Sequence, residues 1–594
     1  MGRTRAGTWV VRVVAAVAGV VLTATACSTP PAPTVPPPTS TPPPTITQLV
    51  VGMDELANGF NPHLLAHVSP TTSALATLVL PSVFRPAADG TLQLDRTIAT
   101  SARVVSEQPF TVTYELNVKA AWSNNAPIAA EDFVYLWQQM RHEPGVADAA
   151  GYRLITEVRS RAGGKAVDVV FADRYPAWQQ LFSNLLPAHL LKDAPGSWTG
   201  ALTNGIPVSG GPFRVQSVDR DRGEIVLTRN DAYWDAPAGL DRLVLRRTDA
   251  AGLADGLRTG EAPIALSRAD PAVMAQLAAL GTGVRVQTVP QPVIVELGLR
   301  ADAGPLADPR LRAAIGAMLD RDALIAAGGG TPPGTVLRAD ANVLAPSQLG
   351  YAPTIPPGPP TRPDPKVAAQ LLTAAGYTRD GIGRWSAGGV PLQIIVGAPT
   401  DNAVYQRIAA LVRDQLAAAG VSTLVVAAPP TELFTQQLVQ PAPATTVTGP
   451  PSAAPPTTPA PTTSPRAPEA TGPVRVDVMV LPRTVGGDPA TELASDYGCP
   501  APTPALPDPP PGPTGYCFPA LQPLLDAALI GTVPAAEAIQ AAERSLWAQL
   551  PAIPLFQVVN VLAVTSRAAV ATGAGPGPLL TGPLTGAQSW RPIG

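Results

Sequence analysis

Proline is concentrated in two tracts, and these tracts limit which parts of the chain can form a folded core. Ser28–Ile46 contains nine prolines among serine, threonine, valine and alanine. Pro441–Pro473 has a similar composition, with one arginine and one glutamate. Neither tract has enough apolar side chains to offset the entropy of ordering. We therefore predict an extended tether for the first tract and a disordered surface insertion for the second.

The N-terminus has the features of an export signal. Arginines at positions 3, 5 and 12 precede the apolar run Val13–Leu22, and small residues lead from there to Cys27. This order is typical of a secretory signal peptide, and the run is too short for a comfortable membrane-spanning helix. A cysteine at the cleavage site is typical of a bacterial lipoprotein, in which the Cys27 thiol carries diacylglycerol. We expect residues 1–26 to be removed and residues 27–46 to be a lipidated tether.

This expectation places the protein at the outer face of the cytoplasmic membrane, held by its lipid. The alternative is ordinary signal cleavage near Ala26, which would leave a free N-terminal cysteine. Both alternatives place the folded part outside the cytoplasm.

Charge and cysteine content narrow the functional classes further. The formal net charge is -3 and the pI is about 5.9, so no basic surface for nucleic acid is expected. Apart from Cys27, the chain contains Cys499 and Cys517. In an oxidising compartment these two cysteines are expected to form a disulfide across the proline-rich segment between them. Two free thiols are the alternative.

The sequence lacks the motifs that usually carry catalysis. It contains no G-x-S-x-G elbow, no S-x-x-K and no phosphate-binding loop. His63 and His67 are four residues apart and could share a helix face, but no third ligand follows at a zinc-site spacing. We expect no enzymatic activity, no metal site and no cofactor.

Between the proline tracts, the hydrophobic pattern predicts a mixture of helices and strands. Asp308 and Asp364 each precede a proline and a set of apolar residues at helical spacing, which predicts two capped helices. Further along, Leu392–Val396 is an apolar run, Val404–Leu416 has helical spacing, and Val421–Val426 is apolar again. This order predicts a strand–helix–strand unit with parallel strands.

Several segments resemble, in the same order, the motifs of the family 5 extracellular solute-binding proteins, which include dipeptide- and oligopeptide-binding lipoproteins. Trp122–Pro127 (WSNNAP) followed by Ala130–Phe133 (AEDF) is similar to the family pattern W-S-D-G-x-P-x-T-A-x-D-V/F. Further matches are Asn61–His63, Pro207–Phe213, Arg229–Trp234, Asp308–Arg312, Ala374–Tyr377 and Pro551–Phe556. The resemblance covers nearly all of the chain outside the signal and the proline tracts.

This resemblance implies an α/β, two-lobed fold like that of periplasmic binding proteins of class II (cluster C), with an extra subdomain in the first lobe. The first lobe would span residues 47–295, including a subdomain at about 85–205. The second lobe would span residues 296–560, with the proline insertion at 441–473, and residues 561–594 would return to the first lobe. Ligand would be enclosed between the lobes by a hinge motion.

One segment departs from the pattern of the peptide binders, which hold the ligand's ammonium group with a late carboxylate. In Asp477–Pro489, Leu481 and Pro482 replace the usual Gly-Trp, and Asp488 is the acid that remains before the proline. Asp488 is a candidate ligand anchor or, as we favour, a helix N-cap. Arg483 is a candidate partner for a phosphate or a solvated surface charge, and the second has more general support.

Within the family, the lipidated tether, the Pro/Thr insertion and the altered anchor most resemble mycobacterial envelope lipoproteins associated with phosphatidylinositol mannosides. The resemblance implies a non-enzymatic lipoprotein that binds or channels such an intermediate and regulates lipomannan and lipoarabinomannan biosynthesis. The alternative is the substrate-binding component of a peptide-type ABC importer.

The expected partners follow from this interpretation. They are a phosphatidylinositol mannoside or another small solute, the membrane through the N-terminal lipid, and an envelope mannosyltransferase or transporter. We expect a monomer and no nucleic-acid partner.

Overall fold

The computed structural model describes residues 46–329, 337–436, 476–503 and 506–593. Cys27 and most of the first proline tract lie outside the described residues, as does the insertion at 441–473. The lipidation, tether and insertion predicted for these segments therefore stay predictions.

The secondary structure alternates between helices and strands along the chain. The strands are β1 (Gln48–Met53), β2 (Phe84–Pro86), β3 (Leu92–Leu94), β4 (Ala99–Glu107), β5 (Phe110–Leu116), β6 (Ile155–Arg161), β7 (Ala166–Phe171), β8 (Phe213–Asp219), β9 (Glu224–Arg229), β10 (Arg242–Arg247), β11 (Ile264–Arg268), β12 (Val284–Leu299), β13 (Leu337–Arg338), β14 (Thr378–Arg379), β15 (Trp385–Ala387), β16 (Val390–Pro391), β17 (Gln393–Pro399), β18 (Ser422–Ala428), β19 (Val478–Thr484) and β20 (Ala552–Thr565). The α-helices are α1 (Pro70–Val79), α2 (Ala130–His142), α3 (Ala150–Arg153), α4 (Ala188–Leu191), α5 (Ser197–Ala201), α6 (Ala250–Thr259), α7 (Pro271–Ala278), α8 (Pro309–Met318), α9 (Arg321–Gly329), α10 (Pro365–Ala374), α11 (Ala403–Ala418), α12 (Pro489–Tyr497), α13 (Gln522–Leu529), α14 (Ala535–Gln549) and α15 (Ser566–Thr572).

One mixed sheet connects the two halves of the described chain. Its strands follow the order β18-β17-β19-β12-β20-β11-β1-β10-β9-β8, and β13 also pairs with β20. The two longest strands, β12 and β20, are antiparallel neighbours at the centre. The N-terminal strands lie on one side of this pair, and the strands from the second half lie on the other. The central pair is therefore the part of the sheet that both halves share.

Local sequence signals account for several of these elements. The predicted strand–helix–strand unit is confirmed as β17, α11 and β18, with β17 and β18 parallel. Asp308 caps α8 by accepting from the Arg310 N–H, and Asp364 caps α10 in the same way. Each helix begins at a proline, whose missing N–H costs nothing at the first helical position.

The apolar side chains form two large, separate clusters. The first is centred on aromatic residues such as Trp122, Phe133 and Phe182, none of which is accessible to solvent. It joins α2 to the four-stranded sheet β4-β5-β7-β6. The second cluster packs α11 against the sheet through residues such as Ile394 and Ile408. Each fully buried large side chain contributes about 1.5–3 kcal/mol, so each cluster is a core in its own right. The lobe boundaries given above stay a prediction.

Candidate functional site

A cavity of about 290 Å³ lies between segments of the two halves. Its wall includes the residues that follow β1, the first turns of α1 and the end of β11. The wall also includes the beginning of α11, the end of β19 and the middle of β20. Because the carboxyl ends of parallel strands leave a crevice at the edge of a sheet, this is the usual place for a ligand in an α/β fold. The cavity is therefore the candidate ligand site.

Neutral polar side chains outnumber charged ones in the wall of this cavity. Among the described residues, nine serines and threonines and six asparagines and glutamines line it, compared with five charged residues. Hydroxyl and amide groups both donate and accept hydrogen bonds. The wall can therefore hold a ligand that carries many neutral polar groups.

Two arginines among the described residues line the cavity. They differ in how many of their guanidinium N–H groups already donate to other protein groups. Arg85 forms an ion pair with Asp95 at 2.7 Å and donates to the carbonyl oxygens of Thr77 and Leu80. The side chain of Arg268 makes one hydrogen bond within the described residues, from Nη2 to Glu55 Oε2 at 3.4 Å. Since a guanidinium has five N–H donors, Arg268 has most of its donors available to a ligand, whereas Arg85 has few.

The acids beside Arg268 are partly shielded from solvent. Asp54 Oδ2 accepts from the Arg268 backbone N–H at 3.0 Å. Protein surrounds the Glu55 carboxyl, although the cavity leaves 38% of its side chain accessible. This burial raises the pKa of Glu55, and the positive charge of Arg268 opposes the change.

Both histidines considered at the sequence level line the cavity. His63 Nε2 donates to the carbonyl oxygen of Asn184 at 3.0 Å, and its ring stacks on Trp198. His67 Nδ1 accepts from the Asn61 N–H at 3.2 Å. Burial lowers the pKa of each to about 4, so both are neutral near pH 7. In the described part of the chain, no group of three or more His, Cys, Asp or Glu side chains is arranged to hold a metal ion.

Arg483 lies in the protein interior and is not among the residues that line the cavity. Its side chain is 3% exposed, so the interpretation as a solvated surface charge is wrong. Nε donates to Glu296 at 3.1 Å and Nη1 to the carbonyl oxygen of Val343 at 3.0 Å. A charge without a partner would be strongly disfavoured there. The Glu296 carboxylate is the partner that allows Arg483 to be buried. Contact of Arg483 with a ligand stays a prediction.

Asp488 is also absent from the cavity wall. It is the N-cap of α12, where its carboxylate accepts from the Thr491 N–H at 2.9 Å and from the Thr491 hydroxyl at 2.7 Å. This is the role that the sequence favoured. Contact of Asp488 with a ligand stays a prediction, and the structure assigns its carboxylate to the helix.

Cys499 and Cys517 form a disulfide, with an S–S distance of 2.07 Å. The bridge closes the proline-rich segment that follows α12. It lies apart from the cavity, because neither cysteine lines the wall.

The sequence interpretation did not identify Asp54, Glu55 or Arg268 as site residues. The sequence nevertheless contains a feature that could have identified each of these three residues. Asp54 and Glu55 directly follow the apolar strand β1, and Arg268 is the last residue of β11. A charged residue at the carboxyl end of a buried parallel strand is a candidate for ligand binding. Recognising it required knowledge that β1 and β11 are neighbours.

The described part of the chain contains no helix of sufficient length and apolar character to span a bilayer.

Comparison with known sequences identifies a family for this chain. The sequence model of the bacterial extracellular solute-binding proteins, family 5 Middle, matches residues 94–465. A relative in Mycobacterium tuberculosis, named "probable monoacyl phosphatidylinositol tetramannoside-binding protein LpqW", is 36% identical over 592 residues, covering 87% of both chains. The oligopeptide-binding protein OppA of Mycobacterium bovis is 28% identical over 270 residues, covering 43% of this chain and 45% of that protein.

A solved structure supports the fold. The oligopeptide-binding protein AppA of Bacillus subtilis, in complex with a nonapeptide, has a TM-score of 0.67 with this chain at 16% identity. The match covers 92% of this chain and 98% of that chain. This similarity confirms the predicted two-lobed α/β fold. Together with the family model, which covers more than half of the sequence, and the relative that matches almost throughout, it shows that the chain belongs to the bacterial extracellular solute-binding proteins of family 5.

Proposed function

We propose that this protein is a non-enzymatic binding protein of the cell envelope that holds a mannosylated phosphatidylinositol in its cavity. The observation that carries the proposal is the composition of the cavity wall. Among the described residues that line it, fifteen have hydroxyl or amide side chains and five are charged. Neutral donors and acceptors suit a headgroup built from sugars. The name of LpqW, a probable monoacyl phosphatidylinositol tetramannoside-binding protein, supports the same ligand class.

The apolar part of the wall supports a ligand that also has an acyl chain. Phe84, Leu92, Phe556, Val558 and Leu580 line the cavity together with the polar groups. Leu580 is 37% exposed, so part of this apolar surface is open. Each methylene group that a chain buries contributes about 0.8 kcal/mol. A glycolipid can use both kinds of surface, whereas a free sugar can use only one.

In this proposal the protein works at the outer face of the cytoplasmic membrane, anchored through lipid on Cys27. There it would retain a mannosylated intermediate and so control its supply to the mannosyltransferases that make lipomannan and lipoarabinomannan. This role needs binding and release but no bond-making group, which agrees with the expectation of a protein that is not an enzyme.

Ligand-dependent stability tests the proposal. The full chain, purified in detergent, is denatured with urea in the presence and absence of monoacyl phosphatidylinositol tetramannoside. A ligand that binds only the folded state at one hundred times its dissociation constant raises the free energy of unfolding by about 2.7 kcal/mol. Detergent alone and an unrelated anionic phospholipid are the controls. A midpoint that the mannoside does not move would refute the proposal.

A peptide-type importer component is the second candidate, because acids also line the cavity. Asp54, Glu55 and Asp148 could hold the ammonium group of a peptide, and OppA is a partial relative. In the same denaturation experiment, stabilisation by a nonapeptide but not by the mannoside would favour this second function.

A further inference from the structure

One end of the cavity is built where β1 and β11 end side by side. These strands are parallel, and Met53 pairs with Leu266. Asp54 and Glu55, which follow β1, therefore lie beside Arg268, the last residue of β11. The hydrogen bonds from Arg268 to both acids fix this arrangement. The Arg268 guanidinium then faces the cavity with most of its donors unused.

Asn560 adds a buried polar group next to this arginine. It pairs with Arg268 in the antiparallel ladder of β11 and β20. Residues directly opposite each other in such a ladder project from the same face, with Cβ atoms about 4.5–5.5 Å apart. Asn560 is 3% exposed and lines the cavity, yet its side-chain amide makes no hydrogen bond within the described residues. This amide therefore faces the cavity without a protein partner, where a ligand can bond to it.

Tyr405, in the first turn of α11, adds a second polar group to the wall. It is 8% exposed and lines the cavity. Its hydroxyl makes no hydrogen bond in the described part of the chain, and it lies within electrostatic range of Arg268 and Glu55. Asn560 and Tyr405, which come from different elements, thus add polar groups to the part of the wall near this arginine–glutamate pair.

The mixture of donors and acceptors selects the chemistry of the ligand. A phosphate can only accept hydrogen bonds, and the negative charges of Asp54 and Asp401 near Glu55 disfavour a further negative charge. An ammonium group can only donate, so it would leave the donors of Arg268 without an acceptor. A hydroxyl both donates and accepts, and two adjacent hydroxyls can receive the arginine fork while one of them donates to Glu55.

We propose that Glu55, Arg268, Asn560 and Tyr405 form a subsite that binds adjacent hydroxyl groups of a mannosyl residue of the ligand. This inference rests on the proposed function and names the part of the wall that recognises sugar.

Two lipids that differ only in their sugars test the subsite. The dissociation constants of the full chain in detergent are measured for monoacyl phosphatidylinositol tetramannoside and for mannose-free monoacyl phosphatidylinositol. Arg268→Lys keeps the charge but loses the planar fork, and we expect about tenfold weaker binding of the mannoside. Asn560→Ala removes an amide that has no protein partner, and we expect about fivefold weaker binding. Neither variant should change the affinity for the mannose-free lipid.

Arg222→Lys is the matched control, because its side chain is 79% exposed and should leave both affinities unchanged. Full affinity of both cavity variants for the mannoside would overturn the subsite. An equal loss for both lipids would also overturn it, since the contact would then be to the shared inositol phosphate. Failure of the unmodified protein to bind the mannoside would instead refute the proposed function. If Arg268→Lys does not fold, Asn560→Ala decides the outcome.

Discussion

At the scale of single residues, Arg483 is the clearest case of a charge that the interior must accommodate. Its guanidinium lies 3.1 Å from Glu296, and Asp496 is 3.9 Å away. Burial raises the pKa of both acids, and the arginine opposes this change. A charge in a medium of low polarity is tolerated only if it is paired and hydrogen-bonded. Arg483 therefore links β19 to β12 from inside the protein.

Removal of this arginine should be strongly destabilising. Arg483→Ala leaves the Glu296 carboxylate buried without its partner, and we expect a loss of about 3–5 kcal/mol in the free energy of unfolding. Urea denaturation measures this loss. Arg222→Ala, at an exposed ion pair, should change the same quantity by about 0.5 kcal/mol or less. Equal effects of the two substitutions would show that the internal pair has no special structural role.

At the scale of elements, helix α12 connects the candidate site to the rest of the protein. Asp488 caps its first turn, and Pro489 occupies the first helical position. Thr491, in the same turn, lines the cavity and bonds to the Tyr175 hydroxyl at 2.8 Å. The cap therefore holds in place a helix end that contributes to the cavity wall.

Substitution of the cap separates its structural role from a role in ligand binding. Asp488→Ala should cost about 1 kcal/mol of stability, measured by urea denaturation, because the Thr491 N–H loses its acceptor. Asp249→Ala is the control, since Asp249 caps α6 by accepting from the Gly252 N–H at 2.8 Å, and its loss should be similar. Ligand affinity should stay unchanged in both. A loss of affinity confined to Asp488→Ala would instead identify this acid as a ligand anchor.

At the scale of the whole molecule, the two halves meet along α12 through several hydrogen bonds. Ser495 accepts from the Ala150 N–H at 3.0 Å, and Gln180 accepts from the Asp488 N–H at 2.9 Å. Asp148 lies in the same interface, where the Thr484 hydroxyl donates to it at 3.4 Å. Burial raises the pKa of Asp148 to about 6 and that of Glu492 well above its usual value.

These raised pKa values predict that stability falls as the pH rises. The folded protein retains a proton on Asp148 that the unfolded chain releases near its ordinary pKa of 3.8. The folded state therefore binds more protons than the unfolded state between about pH 4 and 6, and the free energy of unfolding decreases across that range. Asp148→Asn should reduce this decrease and raise stability near pH 7.

Urea denaturation at a series of pH values measures the slope of stability against pH. Asp231→Asn is the control, because its side chain is 85% exposed. A slope that Asp148→Asn leaves unaltered would contradict the assignment of the proton to this interface.

The elements that the sequence predicted correctly are those with local signals. The caps at Asp308 and Asp364 act within three residues, and the β17–α11–β18 unit lies within one continuous stretch. The resemblance to family 5 supplied the overall fold, which the structural comparison confirms. The candidate site was not predictable in the same way. Arg268 and Glu55 are 213 residues apart, and Asn560 joins them only through the pairing of β11 with β20.

The sequence by itself determined the family, the positions of capped helices and strands, and the two tracts that lack the apolar residues of a core. Those properties depend on neighbouring residues, whose spacing can be read directly. The tertiary structure decided which polar groups face the cavity and which are used internally. Arg483 and Arg268 look alike in the sequence, but one is paired inside the protein while the other faces the cavity. Strand order and register set this difference, because they determine which distant side chains can reach a charge once water has been removed.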